Sequence, residues 1–314
     1  MNWRLKSRIQ NAAVLLPPSF SYAAYYWMQR RFGGLRRVDP ITGFRKSLNA
    51  CQRLDQVGAS PVGGAFLEIG TGRHVNTPLA WWLFGARSVT TVDLNLYLKE
   101  ELVRESLDYV RRNTDKVRAL LGPRVHEDRL SILVDFTKGP WCLAELLEFC
   151  GIRYIAPGNA CNLDLPPATY DFHMSFNVFE HIPPHTLRAI LHEGDRLLKS
   201  AGVFVHRIDY SDHFSHTDKS ISAINFLQFS AEEWHRIAGN RYMYMNRMRV
   251  DDFIELFQDM QHEILLIDSD EDPVVEAILR RGELRLDSAF SGKPQKVLAT
   301  TGSWFISRRA AQAN

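Results

Sequence analysis

At 314 residues, with 45% apolar and 24% charged side chains, the chain has the composition of an ordinary globular protein and room for one large or two modest domains. No stretch approaches the length of a membrane-spanning helix, and the apolar run Ala12 to Leu16 is stopped by Pro17-Pro18 before it can serve as a signal-peptide core, which points to the cytoplasm. Cys51, Cys142, Cys150 and Cys161 form neither a C-x-x-C pair nor a zinc spacing, so free thiols are expected; the net charge of +2 conceals about +9 over residues 1–53, where ten Lys/Arg including Arg36 and Arg37 face the one acid Asp39, and about −7 over the remainder.

The first sixty residues read as a basic, aromatic-rich helical extension or cap: Leu5, Ile9, Ala12 and Ala13 lie near one face, and Phe20, Tyr22, Tyr25, Tyr26 and Trp27 crowd a second stretch before Gly33-Gly34. A further helix is expected over Phe44 to Gln56. Gly58 to Gly64, with Pro61, marks the boundary to a second domain over 61–314 that carries a polar insertion around 209–250.

From Ala65 short apolar runs alternate with helical patterns, the signature of β-α-β units on a parallel sheet. Strands are expected at Ala65–Ile69, Ser88–Val92, Ile152–Ile155, Asp171–Phe176, Gly202–Ile208, Glu263–Ile267 and Lys296–Ile306. Helices are expected from the cap Thr77 with Pro78 to Phe84, and at Leu98–Val110, Lys116–Leu121, Trp141–Phe149, Pro184–Leu198, Ala231–Ala238 and Val250–Met260. The fold class is α/β: a doubly wound, mostly parallel seven-stranded sheet with helices on both faces, plus the N-terminal helical extension.

The segment Phe66-Leu67-Glu68-Ile69-Gly70-Thr71-Gly72-Arg73-His74 sets an acid late on a strand and two glycines in the turn that opens a helix. Glycine lets the backbone turn tightly and approach a ligand, and free N–H groups at a helix start favour an electron-rich group. The third glycine of a dinucleotide fingerprint would fall on Val75, and Glu68 disfavours a phosphate here, so a ligand bearing an ammonium fits better. Asp93 follows the second strand, 25 residues after Glu68, where a carboxylate accepts both hydroxyls of a ribose.

With these features and the strand-four motif Tyr170-Asp-Phe-His-Met-Ser-Phe-Asn-Val-Phe-Glu180-His181-Ile182, the chain resembles the class I S-adenosylmethionine-dependent methyltransferases over Ala65 to Ile208. His74 departs from that family's frequent third glycine. The resemblance implies a Rossmann-like methyltransferase fold, S-adenosyl-L-methionine as cofactor, and a cofactor set of Glu68, Gly70, Gly72, Asp93, Leu94, Asn159, Ala160 and Asn177. Asn159, in Gly158-Asn159-Ala160-Cys161 before Leu165-Pro166, would reach the adenine amine through its side-chain carbonyl.

The methyl acceptor is expected beyond the carboxyl ends of strands four and five. His181 is the first candidate for the base and His213 the second, because imidazole titrates near neutrality; Glu180, Asp209, Asp212 and His216 are the expected substrate contacts. His181 reads equally as a core or helix-start histidine. The cluster Asp209 to Asp218 can bind a divalent metal, but a solvated or substrate-binding loop, suited to a polyhydroxylated acceptor such as a sugar, is the commoner meaning of such a stretch, and no metal ligand is assigned. The stretches Asp209 to Ser220 and Trp234 to Met243 are loosely similar to bacterial methyltransferases linked to surface glycans.

The expected reaction is methyl transfer to a hydroxyl of a sugar or other polar small molecule, including an anionic or lipid-linked glycan. Methylation of RNA or protein, or a catalytically inactive cofactor-binding regulatory module, are the alternatives; no nucleic-acid module is evident, and strand four ends in Asn177-Val-Phe rather than an Asn-Pro-Pro-aromatic run. Residues 1–40 can fold as a cap, rest on the inner membrane face or grip phosphates.

Overall fold

The computed structural model describes residues 2–36 and 38–310, with the side chains of Pro18 and Ser19 set aside; Arg37, one of the cations of the basic segment, lies outside the described residues. Three helices come first, each with a start written in the sequence. α1 (Trp3–Val14) is capped by the Asn2 side chain, which accepts the N–H groups of Arg4 and Leu5; α2 (Pro18–Phe32) begins on proline; α3 (Pro40–Gln56) is capped by Asp39, which accepts the Ile41 N–H.

The alternating part follows with β1 (Ala65–Ile69), α4 (Asn76–Leu83) and β2 (Ser88–Val92). Four helices precede β3 (Ile152–Ile155): α5 (Glu100–Arg112), α6 (Thr114–Leu121), α7 (Glu127–Phe136) and α8 (Leu143–Phe149). Then come β4 (Tyr170–Phe176), α9 (Pro184–Leu197), β5 (Leu198–Asp209), α10 (Ala231–Ala238), α11 (Val250–Asp259) and β6 (His262–Glu271). Finally α12 (Pro273–Arg280), α13 (Ser288–Ser291) and α14 (Gln295–Ala299) lead into β7 (Thr300–Arg309).

The seven strands form one sheet in the order β3-β2-β1-β4-β5-β7-β6. β1 pairs in parallel with β2 and β4, as do β2 with β3 and β4 with β5, whereas β7 runs antiparallel to both β5 and β6. The sheet is therefore mixed, which corrects the expected mostly parallel one: after α12 to α14 the last strand inserts between β5 and β6, antiparallel to both. The helices before β7 keep the β-α-β rhythm in the sequence, so the reversal of direction leaves no trace there. The start of α4 also differs from expectation, since its cap position is Val75 rather than Thr77 and no side chain caps it.

Alternation along β1 feeds two cores. Phe66 packs with Phe44, Leu54, Trp81 and Met174 on one face, while Leu67 and Ile69 join Leu187, Leu191, Phe253 and Phe257 on the other. α3 thus belongs to the main core through Phe44, Ala50, Cys51 and Leu54, whereas Trp3 of α1 joins a third cluster with Phe214, Phe226, Trp234 and Met243. All four cysteines are unpaired.

Candidate active site

The chain order reverses between β1 and β4, and beyond the carboxyl ends of these strands lies a cavity of about 830 Å³. Glu68 and Thr91 face each other in the β1–β2 register; the Thr91 hydroxyl donates to Glu68 Oε2 at 2.6 Å, and the Thr71 and Thr91 hydroxyls are 2.6 Å apart. Glu68 is 3% exposed, and burial, against the Thr91 bond and aided by the charge of Asp93, pushes its carboxyl up to about 8. Its neighbours Gly70 and Gly72 have φ of +90° and +70°. A Cβ on Gly70 would lie 2.5 Å from Val178 Cγ2, while one on Gly72 would meet nothing within 4 Å.

The Gly72 N–H donates to Asp93 Oδ2 at 2.9 Å and the Asn95 N–H to Oδ1 at 3.1 Å, so each oxygen keeps a lone pair for a further donor. Burial pushes the Asp93 carboxyl up against these bonds. Asn159 and Ala160 line the same cavity, but Asn159 Oδ1 already accepts the Cys161 N–H at 3.0 Å. Leu94 lines it too, with 70% of its surface exposed at the rim.

Asn177, with φ +58°, donates its N–H to Arg207 O at 2.8 Å and leaves Oδ1 buried without a partner. It lines both the large cavity and a second one of about 280 Å³, walled by Arg207, Asp209, Ser211, Ser215 and His216. At this junction the ends of β4 and β5 bring three imidazoles together. Ring centres of His181 and His213 are 4.9 Å apart, and those of His213 and His216 are 4.8 Å apart.

His181 Nδ1 donates to the Tyr244 carbonyl at 2.8 Å, leaving Nε2 as the lone-pair nitrogen; burial and the neighbouring His213 push its pKa down to about 4. His213 Nε2 lies 3.4 Å from Asp209 Oδ2, and His216 Nε2 is 2.8 Å from the Ser211 hydroxyl. Burial raises Asp209, yet His213 and the two hydrogen bonds from Ser211 outweigh it and hold the carboxyl below its ordinary range. Glu180 is 2% exposed with neither carboxylate oxygen partnered, and burial, with Asp209 adding to it, pushes its pKa well up. Asp212 stands apart from both cavities: fully buried, it accepts the Phe214 N–H and the Asn225 side-chain amide.

The basic segment contributes residues that a charge count did not single out. Leu35, Asp39, Thr42, Gly43 and Lys46 wall the large cavity, and burial lowers the Lys46 pKa against the pull of Glu180 and Asp209. Nothing in the local pattern distinguishes Lys46 from its neighbours; only the packing of α3 on α4 turns it inward. α1 and α2 lie over the 209–250 region and the α5 face: the Trp3 N–H donates to Asp218, Tyr25 stacks on Tyr242 at 4.2 Å, and Arg30 pairs with Glu105. No helix among the described residues is long and apolar enough to cross a membrane.

Residues 142–206, from the turn before α8 through most of β5, match a family model described as a methyltransferase domain. The matched stretch holds Asn177, Glu180 and His181 but neither Glu68 nor Asp93, so it and the glycine turn are separate indications. No curated protein matches the chain. Similar solved structures include a putative sarcosine dimethylglycine methyltransferase from Galdieria sulphuraria, at 15% identity and TM-score 0.45 over 85% of this chain and 86% of that one. Magnesium protoporphyrin IX methyltransferase from Synechocystis PCC 6803, solved with bound SAH, follows at 10% identity and TM-score 0.43 over 86% and 84%. A SAM-dependent methyltransferase from Methanosarcina mazei matches at 15% identity and TM-score 0.42 over 79% and 93%.

Proposed function

We propose that the protein is an S-adenosylmethionine-dependent methyltransferase, a reading supported by the match of residues 142–206 to a methyltransferase domain and by the acid-and-glycine turn, and that its acceptor is a hydroxyl of a sugar or another polar small molecule. The observation that carries the reading is the second cavity, polar-walled and joined to the first at Asn177 and the imidazole cluster. Carboxylate, hydroxyl, guanidinium and imidazole groups on one wall suit a polyhydroxylated ligand.

The cofactor site fits its ligand chemically: Glu68 offers a buried carboxylate for an ammonium, Asp93 keeps lone pairs for ribose hydroxyls, the space beside Gly72 is open and Asn177 Oδ1 awaits a donor. When bound, the cofactor supplies a methyl group on a positively charged sulfur. An imidazole of the cluster would take the proton of the acceptor O–H, leaving its oxygen free to accept that methyl group. His181 and His213, nearest the junction, are the first candidates for that proton, and Asp209 orients His213.

Radiolabelled methyl transfer to separated glycan, small-molecule, RNA and protein pools tests the acceptor. Label in the glycan or small-molecule pool, retained after base hydrolysis of esters, is expected. Label confined to RNA or protein, or cofactor binding without transfer to any pool, would sink the reading.

We further propose that α1 and α2 rest on an anionic membrane face, so that the acceptor is presented at a lipid surface. Residues 1–36 hold no acid, and Leu5, Ile9, Leu15, Leu16, Phe20, Trp27 and Phe32 are exposed there among Arg4, Arg8 and Arg31.

A further inference from the structure

The loop Asp209 to Asp218 taken alone has the makings of a solvated stretch, but the fold adds to it two residues from the other side of the junction. Glu180 and His181, just past β4, meet His213 so that one donor atom from each lies within 4.8 Å of the others; Asp209, His213 and His216 form a second such trio. We infer that Glu180, His181 and His213 bind a divalent first-row transition-metal ion between the two cavities, with Asp209 steering His213.

An ion with bonds of about 2.0–2.2 Å to imidazole and carboxylate holds its ligand atoms roughly 3–4 Å apart, so small side-chain rotations close the trio. Independent of that spacing is the state of Glu180. Both of its oxygens are buried and unpartnered, and among the described residues no Lys or Arg stands within ion-pair distance of it, the half-buried Lys46 acting on it only at longer range; His181 Nε2 stands 4.0 Å from Oε1. A buried carboxylate without donors is costly, and a bound cation would offset that cost.

The outer contacts of the two imidazoles fit this role. His181 donates Nδ1–H to the Tyr244 carbonyl, which fixes the tautomer with Nε2 toward Glu180, and His213 Nε2 faces Asp209 Oδ2 at 3.4 Å. Metal-bound histidines are oriented by carbonyl and carboxylate partners in this manner. Two nitrogens and one oxygen select zinc, manganese, iron or cobalt over magnesium or calcium, and three protein ligands leave a position open. Resting on the hydroxyl-acceptor reading, the ion takes the acceptor oxygen at that position and lowers its pKa. With the ion bound, His181 and His213 hold it and no longer serve as the base, and His216, hydrogen-bonded to Ser211 on the second cavity, receives the proton in their place.

The full-length protein, stripped with a chelator, is dialysed against Zn²⁺ and Co²⁺ and its uptake and cobalt absorption spectrum are measured. The expected result is a single ion per chain with imidazole-bound cobalt bands, and affinity lowered at least about tenfold in Glu180→Gln and His213→Ala but unchanged in His235→Ala, an exposed residue of α10. Thermal melting and S-adenosylmethionine calorimetry on each variant verify that it is folded, and His181→Ala stands in if Glu180→Gln does not fold. No uptake beyond that of the folded Glu180→Gln or His181→Ala protein, or uptake indifferent to these substitutions, overturns the inference. Cobalt bound through these residues without methyl transfer to any hydroxyl supports the ion site and removes the acceptor reading instead.

Discussion

Glu68 carries a proton-linked consequence that its neighbours fix. Its folded pKa of about 8 exceeds the ordinary 4.5, so the native state holds this proton more tightly than the unfolded chain, and stability falls as pH rises across that window. The loss at full ionisation is on the order of 5 kcal/mol, and urea unfolding of the cofactor-free protein should show it as a slope that Glu68→Gln removes. An unchanged slope in that variant would assign it elsewhere. The two glycines separate strain from space. Gly70→Ala, strained at φ +90° and driven into Val178, should cost about 1–3 kcal/mol and disturb cofactor binding through Asn177, whereas Gly72→Ala should cost about 1 kcal/mol with its methyl toward open cavity. Thermal melts paired with calorimetry distinguish the two. These residues were legible because the turn is local: acid, glycines and strand end adjoin in sequence. Glu180, His213 and Lys46 meet only through the pairing of β4 with β5 and the packing of α3, which residue spacing does not encode. His173 and His206, interior on β4 and β5, show the same limit from the other side, since burial holds them neutral in the core.

At the level of elements, α3 tests where the packed unit begins. The glycine-rich stretch before β1 is a real break in composition, yet Phe44, Ala50, Cys51 and Leu54 are buried against Phe66 and Trp81. Emptying four such sites, with the larger ones worth about 2–5 kcal/mol each, exceeds much of the roughly 5–15 kcal/mol that holds a domain together. A chain beginning at Val38 should therefore still melt cooperatively, at a temperature lowered by the loss of Trp3 from the third cluster, and one beginning at Val57 should not fold; cooperative melting of the shorter chain would make α3 dispensable. Strands β1, β2 and β3 were readable to the residue because short apolar runs are bounded by Gly, Asp and Pro signals. α7 hides in a stretch already crowded with helical periodicity, and α13 and α14 are too short to write a clear apolar face; α12 does write one, with Val275 buried and Leu279 packed on the third cluster, which sequence reasoning missed. The direction of β7 is a long-range fact, set by its register with β5 and β6 rather than by its own composition.

For the molecule as a whole, the charge asymmetry and the exposed apolar face coincide in space. Leu15 is 87% and Phe32 74% exposed at the ends of the first two helices, while Tyr25, Tyr26 and Trp3 face inward to Tyr242, Glu101 and Phe214. One side of α1 and α2 is thus satisfied by the protein and the other is not, an arrangement that suits a lipid surface with rings at headgroup depth. Arg4, Arg8, Arg31 and Arg36 are exposed, and at about 1 kcal/mol for each cation near an anionic bilayer they contribute on the order of a thousandfold in partitioning. The full-length protein should float with anionic vesicles, weakly with zwitterionic ones, and less as salt rises because exposed charges are screened. Reversing Arg4, Arg8 and Arg31 to Glu should abolish flotation while leaving Trp27→Ala with a partial loss, since the first change removes attraction and the second only one apolar anchor. Equal flotation of the full chain and a chain beginning at Val38 would reject the membrane face and return α1 and α2 to the role of a cap over the 209–250 region.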